Sequence, residues 1–290
     1  MGGALATALV RSDSGHEVSI WNRSSERPQV KALVDLGARF EPDLGAAIAS
    51  NDIILICLLD YPSVFSALSP QSSALNGKAV INLTNGTPQE SIDAQTWMAA
   101  RGVARYFDGA VMVTPQLVGT TQSFLIYSGE TEAVFQSTIS HLVSPLGASV
   151  YIGEDVSAAA TNDLAALAAM YGMFSGAFIG MGLYKRRLAK SNDGRNTIAP
   201  SVDKVVVPLL AALVPYVALI AKAVDEEAWD DSQGNPLAMQ LAGVRNILQA
   251  CKEEGVSGAP LEPLAAMMQR IVDEHGGDGG VAEVSRLMLE

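Results

Sequence analysis

Apolar and polar positions in the first 153 residues follow two rhythms in turn. Short apolar or alternating runs, Glu17–Trp21 (EVSIW), Asp52–Leu58 (DIILICL), Lys78–Thr84 (KAVINLT), Tyr106–Val113, Ser123–Ser128 and Ser149–Gly153, predict strands. Between them Gln29–Leu36, Thr87–Arg101 and Glu132–Val143 carry helical spacing, and MGGALATAL at the start reads as a small-residue helix. Strands that are apolar without interruption belong to parallel sheets covered on both faces, so this half is expected to be an α/β, doubly wound sheet. Beyond residue 154 the pattern changes to long Ala/Leu/Met/Gly segments, broken by Asn-Asp-Gly at 192–194 and Gln-Gly-Asn-Pro at 233–236. The expected organisation is therefore residues 1–153 as a sheet domain and 154–290 as an all-α domain that begins with a long interdomain helix.

A helix opening on glycine, a turn at Gly15-His16 and a short strand EVSIW are the later parts of a dinucleotide-binding βαβ unit. In such a unit the helix N-terminus receives a pyrophosphate, which makes Gly2 a candidate cofactor contact. The residues after the second strand meet the adenine ribose: an acid there accepts the 2′-hydroxyl of NAD, whereas arginine with hydroxyls suits a 2′-phosphate. Asn22, Arg23, Ser24 and Ser25 fill those positions and favour NADP. The first strand and most of the glycine turn do not precede Met1 in this sequence. The expectation is either a mis-assigned initiator or a truncated chain of weak cofactor affinity, with the strands beside the gap left with unpaired edges.

Charge and cysteine usage exclude several classes. A net charge of −12 with one short basic cluster, Lys185-Arg186-Arg187, argues against nucleic acid or an anionic membrane as the main partner. Cys57 and Cys251 form neither a disulfide framework nor a metal set, and the three histidines lie in no ligand spacing, so no metal is expected. A cytoplasmic, reducing location follows as the default, and no secretory signal is evident at the start. Leu164–Tyr184 is uncharged and Val205–Ile220 is a second apolar run, a pattern shared with membrane spans. Alanine and glycine in the first run and Pro208 and Pro215 in the second favour instead helices buried in a core or a subunit interface.

GHEVSIWNRS, the loop INLTNGTP (Ile81–Pro88), the helix start NDLAALAAMYGMFSG (Asn162–Gly176) and the segment MQLAGVRNI (Met239–Ile247) together resemble imine reductases, in particular fungal NADPH-dependent reductive aminases within the wider β-hydroxyacid dehydrogenase-like group. The resemblance runs in order along practically the whole chain. It implies a Rossmann domain, a long interdomain helix, and a helical domain that intertwines with a second subunit, so that the active cleft lies between one chain's nucleotide domain and its partner's helices. The implied cofactor is NADPH, and the implied substrates are a small imine, or a carbonyl compound with an amine. Beyond Gly2 and Asn22–Ser25, the resemblance implies cofactor contacts at Cys57, Leu58, Leu59 and Asn85.

Asp163 takes the place where β-hydroxyacid dehydrogenases carry a lysine. The change of sign makes chemical sense, since a carboxylate attracts and orients a cationic iminium carbon, or passes a proton to nitrogen, where an ammonium would repel. An ordinary first-turn helix acid would account for Asp163 equally well. The resemblance also implies catalytic roles for Tyr171, Asn85 and Gln240, the last lent by the partner subunit. It implies a substrate pocket that includes Met239 and Tyr216, where close relatives place tryptophan. Two other readings stay open here: β-hydroxyacid oxidation on the same fold, which the absent lysine disfavours, and a catalytically impaired dimer with a binding or regulatory role.

Overall fold

The computed structural model describes residues 1–191, 197–230 and 232–288; the Asn-Asp-Gly break at 192–194 lies outside them. In chain order the first elements are α1 (Gly2–Arg11), β1 (Ser19–Ile20), α2 (Pro28–Asp35), β2 (Arg39–Phe40), α3 (Leu44–Ala49), β3 (Ile53–Ile56), α4 (Tyr61–Leu68), β4 (Ala79–Asn82) and α5 (Pro88–Ala99). There follow β5 (Arg105–Val111), β6 (Phe124–Ser128), α6 (Glu132–Thr138), α7 (Ser140–Val143) and β7 (Ala148–Gly153). The helical part comprises α8 (Ser157–Ala189), α9 (Ala199–Ser201), α10 (Val207–Asp225), α11 (Leu237–Glu254) and α12 (Glu262–His275). Two compact units result, Met1–Ala168 and Ala169–Glu290.

In the first unit β3-β4-β5-β6-β7 form one sheet, parallel except for the antiparallel pair β5–β6. Successive residues of β4 supply opposite covers, as strand alternation requires. Val80 packs with Tyr61, Val64, Leu75 and Met98, while Ile81 packs with Leu5, Phe107, Leu125 and Phe135. Burial on both faces is the reason these strands read as unbroken apolar runs. The strands β1 and β2 pair in parallel as a separate two-stranded ladder. The expected helix over Glu132–Val143 is divided at Ile139, whose φ of −126° leaves the helical range while its side chain is fully buried. Burial of that isoleucine overrides helical continuity.

In the second unit Leu237 and Leu241 of α11, Met268 and Ile271 of α12, and Val284 of the 3₁₀ segment Val281–Met288 form a core of their own. Helix α11 ends at Gly255 in the left-handed region, φ +66°, a turn that a side chain would strain. The long apolar helices are another matter. Ser157–Ala189 and Ala199–Asp225 are long and apolar enough to cross a membrane, with mean hydropathies of 1.6 and 2.2. Burial within the chain, one of the two expected causes of their composition, is not found: 6% and 0% of their most apolar stretches are buried. Phe178 is 67% exposed, and Val214 and Val217 are 65% and 61% exposed.

Candidate functional site

The start of α8 is fixed from two sides. The Ser157 amide and hydroxyl donate to Asp155 Oδ1 at 2.9 and 2.7 Å, hydrogen bonds that hold the Asp155 carboxyl below its usual range. Buried Ser128, at the end of β6, accepts from the Ala159 amide and donates to the Val156 carbonyl, both at 3.0 Å. This latch sets the rotation of the helix relative to the sheet. Asp163 follows one turn beyond Ala159, is 8% exposed, and accepts a hydrogen bond from Asn85 Nδ2 at 2.7 Å. The first turn of α8 holds no acid, so the helix dipole does not explain Asp163.

Asn85 is presented by the loop that leaves β4, and that loop is clamped at both ends. The Thr84 amide donates to Asn82 Oδ1, and the Leu58 amide donates to Thr84 Oγ1, each at 3.2 Å. At the other end Thr87 and Glu90 form a reciprocal capping box at the start of α5. Gly86 has its own cause, because a Cβ there would stand 2.3 Å from the Tyr61 ring. The Asn-Gly pair is thus a close approach of backbone to an aromatic ring, and it leaves the Asn85 side chain to reach Asp163.

Behind this pair lies a buried polar network that sequence reasoning did not single out. Asp108, 1% exposed in β5, accepts from Tyr61 Oη at 2.7 Å and from Tyr106 Oη at 3.5 Å, and Asn82 Nδ2 donates to Tyr106 Oη at 3.1 Å. Burial pushes the Asp108 carboxyl up to about 7; the two tyrosine hydroxyls pull it down, and the charge of Asp163 pushes it further up. Burial likewise drives the Tyr61 and Tyr106 hydroxyls well above the ordinary phenol range. A signal existed: an aspartate in the middle of the apolar run YFDGAV needs a buried partner.

The proposed nucleotide contacts gather at the carboxyl ends of the strands, where ligands of open α/β sheets collect. After β1, Arg23, Ser24 and Ser25 are exposed, and Asn22 Nδ2 donates to the Ser24 carbonyl at 2.8 Å to shape their loop. After β3, Leu58 is held by Thr84 while Leu59 is 85% exposed. The Cys57 thiol is pushed up by burial and takes a hydrogen bond from the Gly2 amide at the start of α1. An exposed guanidinium with two hydroxyls is the donor set a ribose 2′-phosphate needs, so these residues fit a phosphorylated dinucleotide.

Four of the sequence-predicted residues lie in the second unit. Tyr171 is 63% exposed and meets Phe174 edge-on at 6.1 Å. Tyr216, half-buried on α10, borders a small cavity with Ile220, Ala223 and Ala282. Met239 is 55% exposed, and Gln240 Nε2 donates to the Asn235 carbonyl at 2.8 Å.

Residues 1–153 match the NAD binding domain of 6-phosphogluconate dehydrogenase, and residues 155–290 match the NADPH-dependent reductive aminase-like C-terminal domain. A curated NADPH-dependent reductive aminase of Aspergillus oryzae is 38% identical over 279 residues, 95% of this chain and 91% of the relative. A reductive aminase from Aspergillus terreus, in complex with NADPH4, cyclohexanone and allyl amine, superposes with a TM-score of 0.88 at 31% identity, covering 99% of this chain and 95% of the other. An imine reductase from Myxococcus stipitatus in complex with NADP+ gives a TM-score of 0.85 at 25% identity, covering 99% and 96%.

Proposed function

The chain belongs to the family of NADPH-dependent reductive aminases, and from that premise we propose that it reduces an imine or iminium ion, either preformed or condensed on the protein from a carbonyl compound and an amine. NADPH supplies the hydride when bound. The protein supplies placement, exclusion of water and charge. Arg23, Ser24 and Ser25 grip the 2′-phosphate, Gly2 lies toward the pyrophosphate, and Cys57, Leu58, Leu59 and Asn85 border the rest of the cofactor.

One observation carries the reading: a carboxylate, Asp163, is buried to 8% exposure with its Oδ2 held 2.7 Å from Asn85 Nδ2 at the carboxyl end of β4. A negative group in a place of low dielectric draws a cationic carbon–nitrogen double bond toward it. A neutral imine takes its proton from solvent before the cation is drawn to the Asp163 carboxylate, which Asn85 keeps aimed. The exposed apolar faces of α8 and α10 support a homodimer in which a second copy contributes Tyr171, Tyr216, Met239 and Gln240 to the substrate pocket.

Assays of NADPH consumption with a five- or six-membered cyclic imine, and of NADP+ reduction with short 3-hydroxy acids, test the proposal. Turnover of the imine alone is expected. Turnover of the hydroxy acids alone, or of neither with NADPH demonstrably bound, would overturn it.

A further inference from the structure

We propose that Asp108 is a positioning residue for the imine reduction described above, a role that rests on that reading. It anchors the residues on either side of Asn85, Gly86 by way of Tyr61 and Thr84 by way of Tyr106 and Asn82, and so aims the Asn85–Asp163 pair. Asp108 is the β5 neighbour of Asn82 in the sheet, and two tyrosines reach its Oδ1, Tyr61 from the start of α4 and Tyr106 from β5 itself. All four side chains are buried, so bulk solvent does not replace a lost partner. The arm through Tyr61 is steric. Its hydroxyl donates to Asp108 at 2.7 Å and thereby fixes the ring against Gly86, where a Cβ would overlap it.

The arm through Tyr106 is directional. A backbone amide can only donate, so the Thr84 N–H obliges Asn82 to turn its Oδ1 toward the loop, and Asn82 Nδ2 then faces Tyr106 Oη at 3.1 Å. Having accepted from Asn82, that hydroxyl has one proton to give. The acceptors in reach are Asp108 Oδ1, at a longer 3.5 Å, and the Tyr61 oxygen, whose own proton goes to Asp108. Both routes end on one carboxyl group. Burial holds the two tyrosine hydroxyls well above the ordinary phenol range, so both protons are present at neutral pH. Without an acceptor at position 108 the hydroxyl protons turn on each other and on Asn82, whose amide must then flip and set its NH₂ against the Thr84 N–H. Two donors would face one another, and the residue before Asn85 would lose its anchor.

The test compares turnover of a cyclic imine at saturating NADPH in single and double variants of the whole chain. Asp108→Leu removes the acceptor from both arms and should lower kcat at least ~10-fold, the scale on which a misplaced reacting group is felt. Tyr106→Phe keeps the ring, breaks the directional arm alone and should lower kcat about 3–10-fold. Asp108→Asn retains a carbonyl oxygen for the hydroxyls and should stay within about threefold of the wild type. In an Asn85→Ala background, itself slowed, Tyr106→Phe should have almost no further effect, because the group it positions is gone. An equal factor in both backgrounds would overturn the positioning role and leave a structural one. Unchanged turnover in Asn85→Ala would overturn the function assigned to the pair together with this role. A second readout needs no reaction: the side-chain amide resonance of Asn85 reports its bond to Asp163 and should move in Tyr106→Phe and in Asp108→Leu. A resonance unmoved in both would overturn the positioning role whatever the enzyme turns over.

Discussion

The two units treat their conspicuous residues in opposite ways. The sheet unit buries polar groups and pairs them: Asp108 is enclosed by two tyrosine hydroxyls, Ser128 ties helix to strand, and Asp163 is aimed by Asn85. The helical unit shows apolar groups to solvent, with Tyr171, Phe178, Val214 and Met239 all more than half exposed. A buried polar group is expensive unless its partner is in place, so the first arrangement specifies geometry within one chain. An exposed apolar helix specifies nothing until something covers it. The proposed chemistry is thus held in one region, and the proposed pocket walls lie on a surface whose cover is the proposed second copy.

The sharpest way to break this contrast is Asp163→Ala. Turnover is expected to fall about 10²–10⁴-fold while NADPH binding, followed by fluorescence titration, stays within about twofold. Unchanged turnover would mean that the buried pair is structural. Next in size is Leu213→Glu, which puts a charge on the exposed face of α10. Its dimer dissociation constant should rise at least ~100-fold, since an unpaired charge is not buried cheaply. Light scattering on a sizing column in detergent-free buffer reads the outcome, and a wild-type monomer at high concentration would sink the assembly proposal.

Asp108→Asn probes the buried network. The folded-state carboxyl lies near 7, above the unfolded value of about 3.9. The folded form then keeps a proton that unfolding releases, so the contribution of this group is full below about pH 4 and is lost as pH rises through about 7. Urea unfolding of the wild type should show that decline, on the order of 2–4 kcal/mol, and the asparagine variant should flatten it. An equal slope in both proteins would remove Asp108 as its source. The smallest effect concerns Arg23→Ala, where the loss of one charge-assisted contact should raise KM for NADPH about 10–100-fold and leave NADH nearly unchanged. Equal losses with both nucleotides would move the 2′-phosphate contact elsewhere.

How much was legible follows from the kind of signal each residue leaves. The strands Ile53–Ile56 and Ala79–Asn82 and the capped helix after Thr87 announce themselves through local periodicity and caps. The short pair β1–β2 was half legible: EVSIW stands out, whereas Arg39–Phe40 is too brief to carry a period. Tyr61 and Tyr106 gave no warning, because their common partner lies 47 and 2 residues away along the chain and pairs with both only once the sheet is formed.

By itself the sequence determined the order of elements, the change from sheet to helices near residue 154, and the chemical type of each candidate: a carboxylate where a lysine would serve another reaction, and an arginine with serines after a strand. These are properties of single residues and of their near neighbours. Only the tertiary structure decided that Asn85 and Asp163, 78 positions apart, share a 2.7 Å hydrogen bond, and that burial raises the Asp108 carboxyl far above the usual carboxylate range. Such facts depend on distance and burial, which arise when remote segments exclude water together and which no local pattern encodes.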